Sequence, residues 1–377
     1  MTTWLIAAGD FLTYGGMDAA NYGLARYLST RDGDQVHLVA HRVADDLMAH
    51  PRVRVHRARR PFGAHRLGEP LLRKVTAHWA AQLRSSGARV IANGGNVDAG
   101  DVSWVHYVHA AYAPVAHARL NHLIRRLGHR RYVVEERRAL RRARLVICNS
   151  QRTVDDVVRL AGVDPGRARV VYYGIDVARF RPSTPSERDA ARRALGIVHT
   201  RPIVLFAGAL GDRRKGFDTL FAAWQSLCRC REWDADLVVA GSGAELRSWQ
   251  ARAADSLPPG RVRFLDYQRD MRGVFGAGDV LVHPARYEAY GLAVHEALCC
   301  GLPAIVSATA GIAERYPGTL TRLLLHEPDS AAEVAARLRA WREDSAIAEH
   351  AAAFGAHLRR RSWDDMGREI AQLVEAA

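Results

Sequence analysis

Length, composition and charge narrow the class of protein before any motif is considered. The chain has 377 residues, more than one hydrophobic core usually organises, so two domains are expected. Apolar residues make up 48% and charged residues 25%, proportions typical of a globular protein rather than a disordered or fibrous one. No apolar run approaches the roughly 18 residues that span a membrane, and the N-terminal stretch lacks the basic region of a signal peptide. A cytoplasmic protein is therefore predicted.

The formal net charge of +14 favours phosphate groups, anionic lipid or nucleic acid as partners. Arginine provides nearly all of the positive charge, because only Lys74 and Lys215 are lysines. The five cysteines are odd in number and lack the spacing of metal ligands. This pattern favours reduced thiols over a disulfide framework or a zinc site.

Strand-like and helix-like segments alternate through the first half of the chain. The first predicted strand, 4–8, is followed by a loop that contains Gly15 and Gly16 and by an amphipathic helix over 18–28. The same pattern predicts further strands at 36–40, 53–56, 89–92, 103–108, 145–149 and 168–172. Such alternation predicts a parallel sheet with helices on both faces.

A segment rich in proline and serine, 181–186, is predicted to be a linker between two domains. After it the alternation restarts, with strands expected at 203–207, 237–240, 262–264, 280–282, 304–306 and 323–325. We therefore predict an α/β protein with two doubly wound domains, 1–183 and 184–360, and a ligand site in the cleft between them. The last helix, within 361–377, is expected to pack back on the first domain.

The segment 281–303 combines two carboxylates with the start of a helix. Glu288 lies in a polar turn after a predicted strand, and Gly291 precedes a helical pattern that carries Glu296. Free backbone N–H groups and a positive dipole end make the first turn of a helix a favourable place for phosphate. The two carboxylates can accept hydrogen bonds from hydroxyl groups. The segment therefore predicts a site for a nucleotide-sugar.

Three adjacent cations, Arg213, Arg214 and Lys215, follow the first predicted strand of the second domain. Loops that leave the carboxyl ends of parallel strands face the ligand, so these cations can bind a diphosphate without a metal ion. The alternative is a solvated basic turn. A lysine in a chain built almost entirely on arginine favours the functional role.

Two features of the first domain are less specific. The Gly15–Gly16 pair lets a backbone approach a ligand closely, although ordinary turns also use paired glycines. His106 and His109 fall at or just beyond the strand predicted at 103–108, on opposite sides of it, so only one of them is expected to face the cleft. His109, at the end of the strand, is the favoured candidate.

The segment 118–144 carries ten arginines against two glutamates, with apolar residues at helical spacing. It is consistent with a helix that lies on an anionic membrane surface. It is equally consistent with a surface that binds an acidic acceptor, or with a solvated helix. The sequence leaves these three interpretations open.

Taken together, these motifs resemble a known family, the retaining glycosyltransferases of family 4 with the GT-B fold, whose members include phosphatidylinositol mannosyltransferase and sucrose synthase. Two glutamates with seven residues between them, Glu288 and Glu296, match the family signature, and the sequence continues with Ala-Leu-x-x-Gly-Leu-Pro. The pair Asn149-Ser150 and the segment 174–182 match the end of the first domain in the family. The resemblance covers nearly the whole chain.

The resemblance implies roles for the residues of the second domain. Glu288 contacts hydroxyl groups of the transferred sugar, and Glu296 contacts the ribose hydroxyls. Backbone N–H groups around Tyr290, Gly291 and Leu292 hold the sugar and the phosphate.

The resemblance also implies roles for residues outside that segment. Lys215 matches the diphosphate lysine of the family, and His109 matches a histidine near the donor sugar. Gly15 and Gly16 match its N-terminal glycine loop. Ala209 stands where the family usually has a second phosphate-binding arginine, so Arg213 or Arg214 is expected to replace it.

The implied activity is transfer of a hexose from a nucleoside diphosphate-sugar to a hydroxyl group of a glycan, a lipid-linked acceptor or a small molecule. The expected donor is a UDP-sugar or GDP-mannose, the anomeric configuration is retained, and neither a metal nor another cofactor takes part. A role in cell-envelope glycan biosynthesis follows, with peripheral membrane contact if 118–144 binds lipid. The alternatives are a GT-B nucleotide-sugar epimerase and a basic nucleic-acid-binding protein. Charge alone suggests the second, so nucleic acid is not an expected partner.

Overall fold

The structure, a computed structural model, describes residues 2–97, 101–113, 119–211 and 213–377. The chain forms two compact units, which we call the first and the second domain. The first domain combines Met1–Gly174 with Arg361–Ala377, and the second domain is Ile175–Arg360.

The domain boundary lies at Gly174, before the position predicted at residue 183. The predicted linker is bound to the second domain and so belongs to it. Arg181 pairs with Glu187 at 2.7 Å, and Arg272 donates a hydrogen bond to the Ser183 hydroxyl at 2.7 Å. The proline- and serine-rich segment therefore leads into the helix Pro185–Ala194 and does not mark the boundary between the domains.

The first domain is built on a parallel seven-stranded sheet with the order β5-β3-β1-β6-β7-β8-β9. A short parallel pair, β2 and β4, lies outside this sheet. The strands are β1 Thr3–Ala7, β2 Asp10–Phe11, β3 Gln35–Ala40, β4 Arg42–Val43, β5 Val53–Arg57, β6 Arg89–Asn93, β7 Val102–Val105, β8 Leu145–Cys148 and β9 Ala168–Val170. The helices before the domain boundary are α1 Gly16–Thr30, α2 Asp45–Ala49, α3 His65–Leu83, α4 Arg119–Arg142 and α5 Gln151–Asp156.

The second domain repeats this architecture with a parallel six-stranded sheet in the order β12-β11-β10-β13-β14-β15. Its strands are short apolar runs such as Ile203–Ala207, which is buried at every position. The strands are β10 Ile203–Ala207, β11 Asp236–Ala240, β12 Val262–Phe264, β13 Val280–His283, β14 Ala304–Ser307 and β15 Leu324–Leu325. The helices are α6 Pro185–Ala194, α7 Phe217–Cys228, α8 Leu246–Ser256, α9 Met271–Ala277, α10 Leu292–Cys299, α11 Ala331–Glu343 and α12 Ala346–Leu358.

The last helix, α13 Trp363–Ala376, returns to the first domain and packs against α1. Glycines allow the two helices to approach, since a Cβ atom at Gly23 would lie 3.0 Å from the Trp363 ring. Ion pairs flank this contact, with Arg26 joined to Asp364 at 2.5 Å and Arg31 joined to Glu375 at 2.7 Å. Residues from both ends of the chain thus complete one domain.

Strand order fixes where each sheet offers a ligand site. In the second domain, β10 pairs with β11 on one side and with β13 on the other, so the connections leave toward opposite faces. In open α/β sheets, ligands bind outside the carboxyl ends of the strands at such a switch point. The loops after β10 and β13 carry Lys215 and Glu288, and both start at this point.

Candidate active site

The loops after β10 and β13 touch each other directly. Lys215 closes a short 3-10 turn, Arg213–Lys215, and Gly216 follows it with φ of 71°. A Cβ atom at Gly216 would lie 1.9 Å from the carbonyl oxygen of Pro284, so only glycine permits this approach. The glycine after the lysine therefore brings the basic turn against the loop that carries Glu288.

Lys215, Glu288 and His283 form one hydrogen-bonded cluster at the end of β13. Nζ of Lys215 lies 2.5 Å from Oε2 of Glu288, and Nε2 of His283 lies 3.0 Å from the same oxygen. The side chains are 17%, 13% and 1% exposed, respectively. The sequence predicted Lys215 and Glu288 as site residues, and the structure joins them. His283 was not among the predicted site residues.

Electrostatics keep the Glu288 carboxylate ionised. Burial alone would raise the pKa of Glu288, but the positive charge of Lys215 and the hydrogen bond from His283 outweigh it and hold this pKa well below its usual range. Burial also lowers the pKa of His283, so its imidazole is neutral near pH 7. The cluster therefore presents an ionised carboxylate beside the positive charge of Lys215.

The two predicted arginines have different surroundings. Arg213 donates two hydrogen bonds to Oδ2 of Asp218, at 3.0 Å from Nε and 2.8 Å from Nη2. Arg214 donates to the carbonyl oxygen of Tyr287 at 3.3 Å, and its charge contributes to the lowered pKa of Glu288. Arg214 is thus the better placed of the two to act with Lys215.

The start of α10 follows directly after the Glu288 turn. Gly291 has φ of 106°, and a Cβ atom there would lie 3.1 Å from Cγ2 of Ile312. The amide of Ile312 donates to the carbonyl oxygen of Tyr290 at 2.7 Å, which anchors the turn. Leu292 is the first residue of the helix, whose leading N–H groups have no partner within it. The backbone from Tyr290 to Leu292 therefore starts a helix beside Glu288.

Glu296 lies on the second turn of α10 in a different environment. Its side chain is half-buried, and its carboxylate accepts no hydrogen bond from any residue that the structure describes. Burial raises the pKa of Glu296 to about 8, against a weak opposing effect of Arg179. The two glutamates of one motif thus differ in charge at neutral pH.

In the first domain, Gly15 and Gly16 form the entry to α1 after β1 and β2. Gly15 has φ of 85°, and a Cβ atom at Gly16 would meet no heavy atom within 4 Å. The Asp18 carboxylate lies beside Gly15, and burial followed by the charge of Asp10 raises the pKa of Asp18 to about 6. Asp18, next to the glycine pair, was not predicted as a site residue.

The strand before His109 is shorter than the sequence predicted. The strand expected at 103–108 ends at Val105, and His109 begins a 3-10 turn, His109–Ala111. Its ring stacks on Tyr132 with the ring centres 5.3 Å apart. Burial, with a smaller effect of His129, lowers the pKa of His109 to about 4, so the imidazole is neutral.

A buried glutamate on α4 binds the turn that begins at His109. The amides of His109 and Ala110 donate to the two carboxylate oxygens of Glu136, at 2.9 and 3.3 Å, instead of to a neighbouring strand. Glu136 is 1% exposed, and burial raises its pKa to about 7 despite these two hydrogen bonds. Sequence reasoning assigned Glu136 to a basic helix and gave it no role.

Two negative findings apply to the described part of the chain alone. Within residues 2–97, 101–113, 119–211 and 213–377, no three His, Cys, Asp or Glu side chains are grouped as metal ligands. Over the same residues, no helix combines the length and the hydropathy needed to cross a membrane.

Comparison with known proteins places the chain in a family. A family model named Glycosyltransferase Family 4 matches residues 14–179, and one named Glycosyl transferases group 1 matches residues 187–361. The chain is 31% identical to the D-inositol 3-phosphate glycosyltransferase of Xylanimonas cellulosilytica over 252 residues, which are 62% of this chain and 57% of that protein. The chain spans a little over half the length of the curated relatives it matches.

Two solved structures share the complete fold. Sucrose-phosphate synthase from Thermosynechococcus elongatus superposes with a TM-score of 0.77 at 21% identity, covering 100% of this chain and 98% of that one. The Anabaena protein HepE in complex with UDP-glucose superposes with a TM-score of 0.74 at 20% identity, covering 100% of both chains. The two parallel α/β domains are thus those of the GT-B fold. With both family models matched in succession, the chain belongs to the glycosyltransferases of family 4.

Proposed function

We propose that this protein transfers a sugar from a nucleoside diphosphate-sugar to a hydroxyl group of an acceptor. The observation that carries the proposal is the Lys215–Glu288 pair at the switch point of the second sheet, next to the start of α10. A cation and free helix N–H groups can bind a diphosphate, and an ionised carboxylate can accept hydrogen bonds from the sugar joined to it.

Each group has a proposed role in the reaction. Lys215, Arg214 and the N–H groups at Gly291 and Leu292 stabilise the negative charge that develops on the leaving diphosphate. Glu288 accepts a hydrogen bond from a hydroxyl group of the transferred sugar. We further propose that the reaction retains the anomeric configuration and needs no metal ion. In this mechanism the departing phosphate oxygen takes the proton of the acceptor, so no protein base is assigned.

The remaining donor contacts are proposed on the same basis. Glu296 accepts hydrogen bonds from the ribose hydroxyls, and its carboxylate is available because no described side chain occupies it. The Gly15–Gly16 turn and His109 contribute from the first domain. A UDP-sugar or GDP-mannose is the proposed donor, and the structure of HepE with UDP-glucose supports the first of these.

The proposed acceptor is a hydroxyl compound, in line with the name of the D-inositol 3-phosphate glycosyltransferase. A role in cell-envelope glycan biosynthesis is part of the proposal. The half of α4 whose side chains are described carries exposed arginines, among them Arg130, Arg137 and Arg138. They support contact between this helix and an anionic membrane surface. A cytoplasmic location with peripheral membrane contact follows from that proposal.

A thermal-shift screen of UDP-, GDP- and ADP-sugars tests the donor. A ligand present at about 100 times its Kd stabilises the native state by about 2.7 kcal/mol. For a domain of roughly 150–250 residues the midpoint should rise by about 5–11 °C. The best donor is then incubated with candidate acceptors, and the released nucleoside diphosphate and the glycosylated product are measured.

The outcomes of this screen are distinct. A shift followed by acceptor-dependent release of nucleoside diphosphate supports the transferase. Conversion of the donor into an isomeric nucleotide-sugar without acceptor would identify an epimerase instead. If no nucleotide-sugar shifts the midpoint and none is consumed, the proposed function is wrong.

A further inference from the structure

The two carboxylate oxygens of Glu288 have unequal surroundings. Oε2 accepts from both Lys215 and His283, at 2.5 and 3.0 Å. Oε1 receives no hydrogen bond from any residue in the part of the chain that the structure describes. One oxygen is therefore committed to the protein, while the other is available to a ligand.

The hydrogen bond fixes the protonation of His283. An ionised carboxylate only accepts hydrogen bonds, so Nε2 of the neutral imidazole must carry the proton that it donates to Glu288. Nδ1 is then the unprotonated nitrogen. It is buried, and among the described residues it has no hydrogen-bond partner. Among the residues that the structure describes, the ring thus makes a single hydrogen bond, the one to Glu288.

The two donors to Oε2 differ in rigidity. Lys215 carries three N–H donors on a flexible chain, so its ammonium can turn toward a phosphate. His283 is the last residue of β13 and is 1% exposed, so the strand and the packing around it hold its ring in place. Groups placed on rigid elements keep a site in its working geometry better than flexible ones do.

We infer that His283 is a positioning residue of the sugar subsite. Its ring holds Oε2 of Glu288, so that Oε1 stays available to a sugar hydroxyl while Lys215 binds the diphosphate. The inference rests on the proposed function and deepens it. His283 touches neither donor nor acceptor in this scheme. It acts through Glu288, so its loss affects only steps in which the sugar is bound.

This role differs in its consequences from that of a buried structural histidine. A structural histidine contributes to stability, and its loss weakens nucleoside diphosphate and nucleotide-sugar binding alike. A positioning residue for Glu288 leaves the nucleoside diphosphate site intact, because Lys215, Arg214 and the start of α10 remain. The ratio of the two affinities therefore separates the two roles.

The test compares His283→Leu, which has no donor, with His283→Gln, whose side-chain amide reaches the position of Nε2. The matched control is His199→Leu. His199 lies in the same domain and pairs with Asp236 at 3.1 Å. Asp236 is the first residue of β11, so this pair lies at the amino ends of the strands, opposite the edge that carries His283. Each variant is assayed with the nucleotide-sugar that gives the largest thermal shift with the unaltered protein, and with the corresponding nucleoside diphosphate.

For His283→Leu we expect kcat/KM to fall about tenfold to a hundredfold, the effect of a reacting group displaced by about 1 Å. The Kd for the nucleoside diphosphate should stay within about twofold, because only the sugar subsite depends on this donor. His283→Gln should recover most of the lost activity, because its amide supplies the same hydrogen bond. If His283→Leu does not fold, His283→Asn replaces it. Its shorter amide remains polar but does not reach Oε2.

Three results would overturn the inference while leaving the proposed function standing. They are unchanged kcat/KM in the donorless variant, an equal loss of affinity for nucleotide-sugar and nucleoside diphosphate, and a failure of His283→Gln to recover activity in a folded protein. Failure of the proposed function looks different, since the unaltered protein would then consume no nucleotide-sugar at all.

Discussion

Each domain buries a carboxylate beside its predicted site, but the two carboxylates are stabilised differently. In the second domain, Glu288 is held by the side chains of Lys215 and His283, and its pKa lies below the usual range. In the first domain, Glu136 is held by two backbone N–H groups, from His109 and Ala110, and its pKa rises to about 7. A neighbouring cation outweighs burial, whereas two neutral donors do not.

The difference gives the two carboxylates opposite contributions to stability as the pH changes. Glu136 ionises less readily in the folded protein than at its ordinary pKa of 4.5, so its contribution to stability is full below pH 4.5 and is lost as the pH rises through about 7. Glu288 ionises more readily than that, so its contribution is present above pH 4.5 and is lost as the pH falls toward its lowered pKa. Substitutions in each of the two hydrogen-bonded clusters test this contrast.

The largest effect is expected from removal of the cation. Lys215→Met keeps the length of the side chain but loses the charge that offsets both Glu288 and the leaving diphosphate. Loss of one preorganised group of this kind lowers kcat by about a hundredfold to a thousandfold, or about 3–4 kcal/mol. Steady-state assays of sugar transfer measure this change.

The control for this variant is the other lysine of the chain, Lys74, which is exposed on α3. Lys74→Met should leave kcat unchanged, because no part of the candidate site depends on it. If Lys215→Met retained activity within about twofold, the electrostatic role of the cluster would be wrong.

A smaller effect, on stability, is expected in the first domain. At about pH 5, where Glu136 makes its stabilising contribution, Glu136→Ala leaves two partly buried backbone N–H groups without an acceptor and should lower the free energy of unfolding by about 2 kcal/mol. Glu135→Ala is the matched control, since Glu135 lies next to it on α4 and forms ion pairs with Arg73 and Arg131 near the surface. Exposed ion pairs contribute little, so the control should lose much less stability.

Urea denaturation of the two glutamate variants gives the comparison directly. Equal losses for Glu135→Ala and Glu136→Ala would contradict the view that Glu136 stabilises the turn of His109. Full activity of a folded Glu136→Ala protein would show that the position of this turn is unimportant for transfer.

Much of the second-domain site was predictable because its signals are local. The glutamate spacing from Glu288 to Glu296 and the run ending at Lys215 lie in single loops. A parallel sheet brings the carboxyl ends of its strands to one edge, so the meeting of these loops followed from the strand pattern. His283 lies at the same edge, but the sequence did not indicate that its ring faces Glu288.

The first domain was less predictable because its contacts are distant in sequence. Glu136 lies in a segment dominated by arginine, 27 positions after His109, and charge composition gave no sign of a buried carboxylate there. The predicted strand 103–108 also extended too far, because the neighbouring strands β6 and β8 end opposite Trp104 and Val105. In the second domain, the sequence could not separate Arg213 from Arg214, since the capture of Arg213 by Asp218 depends on the geometry of the turn.

The smallest expected effect concerns Glu296. Among the described residues, neither charged side chains nor backbone N–H groups hold its carboxylate as they hold Glu288 and Glu136. With its pKa raised to about 8, Glu296 is mostly protonated at neutral pH in the free protein. Ribose hydroxyls bind an ionised carboxylate more strongly, so ligand binding should favour loss of this proton. If binding lowers this pKa by about one unit, the affinity for the nucleotide-sugar should rise about sixfold between pH 6.5 and 8.5.

Glu296→Gln removes this titration and supplies the control within the same site. Its affinity should be weaker at pH 8.5 and independent of pH over the same interval, as measured by calorimetric titration. Because an ionised, half-buried Glu296 destabilises the fold, the variant should also gain thermal stability relative to the unaltered protein as the pH rises through about 8. A pH-dependent affinity that persists in Glu296→Gln would assign the titration to another group. It would also leave Glu288 as the only member of the glutamate pair with a demonstrable ionic role.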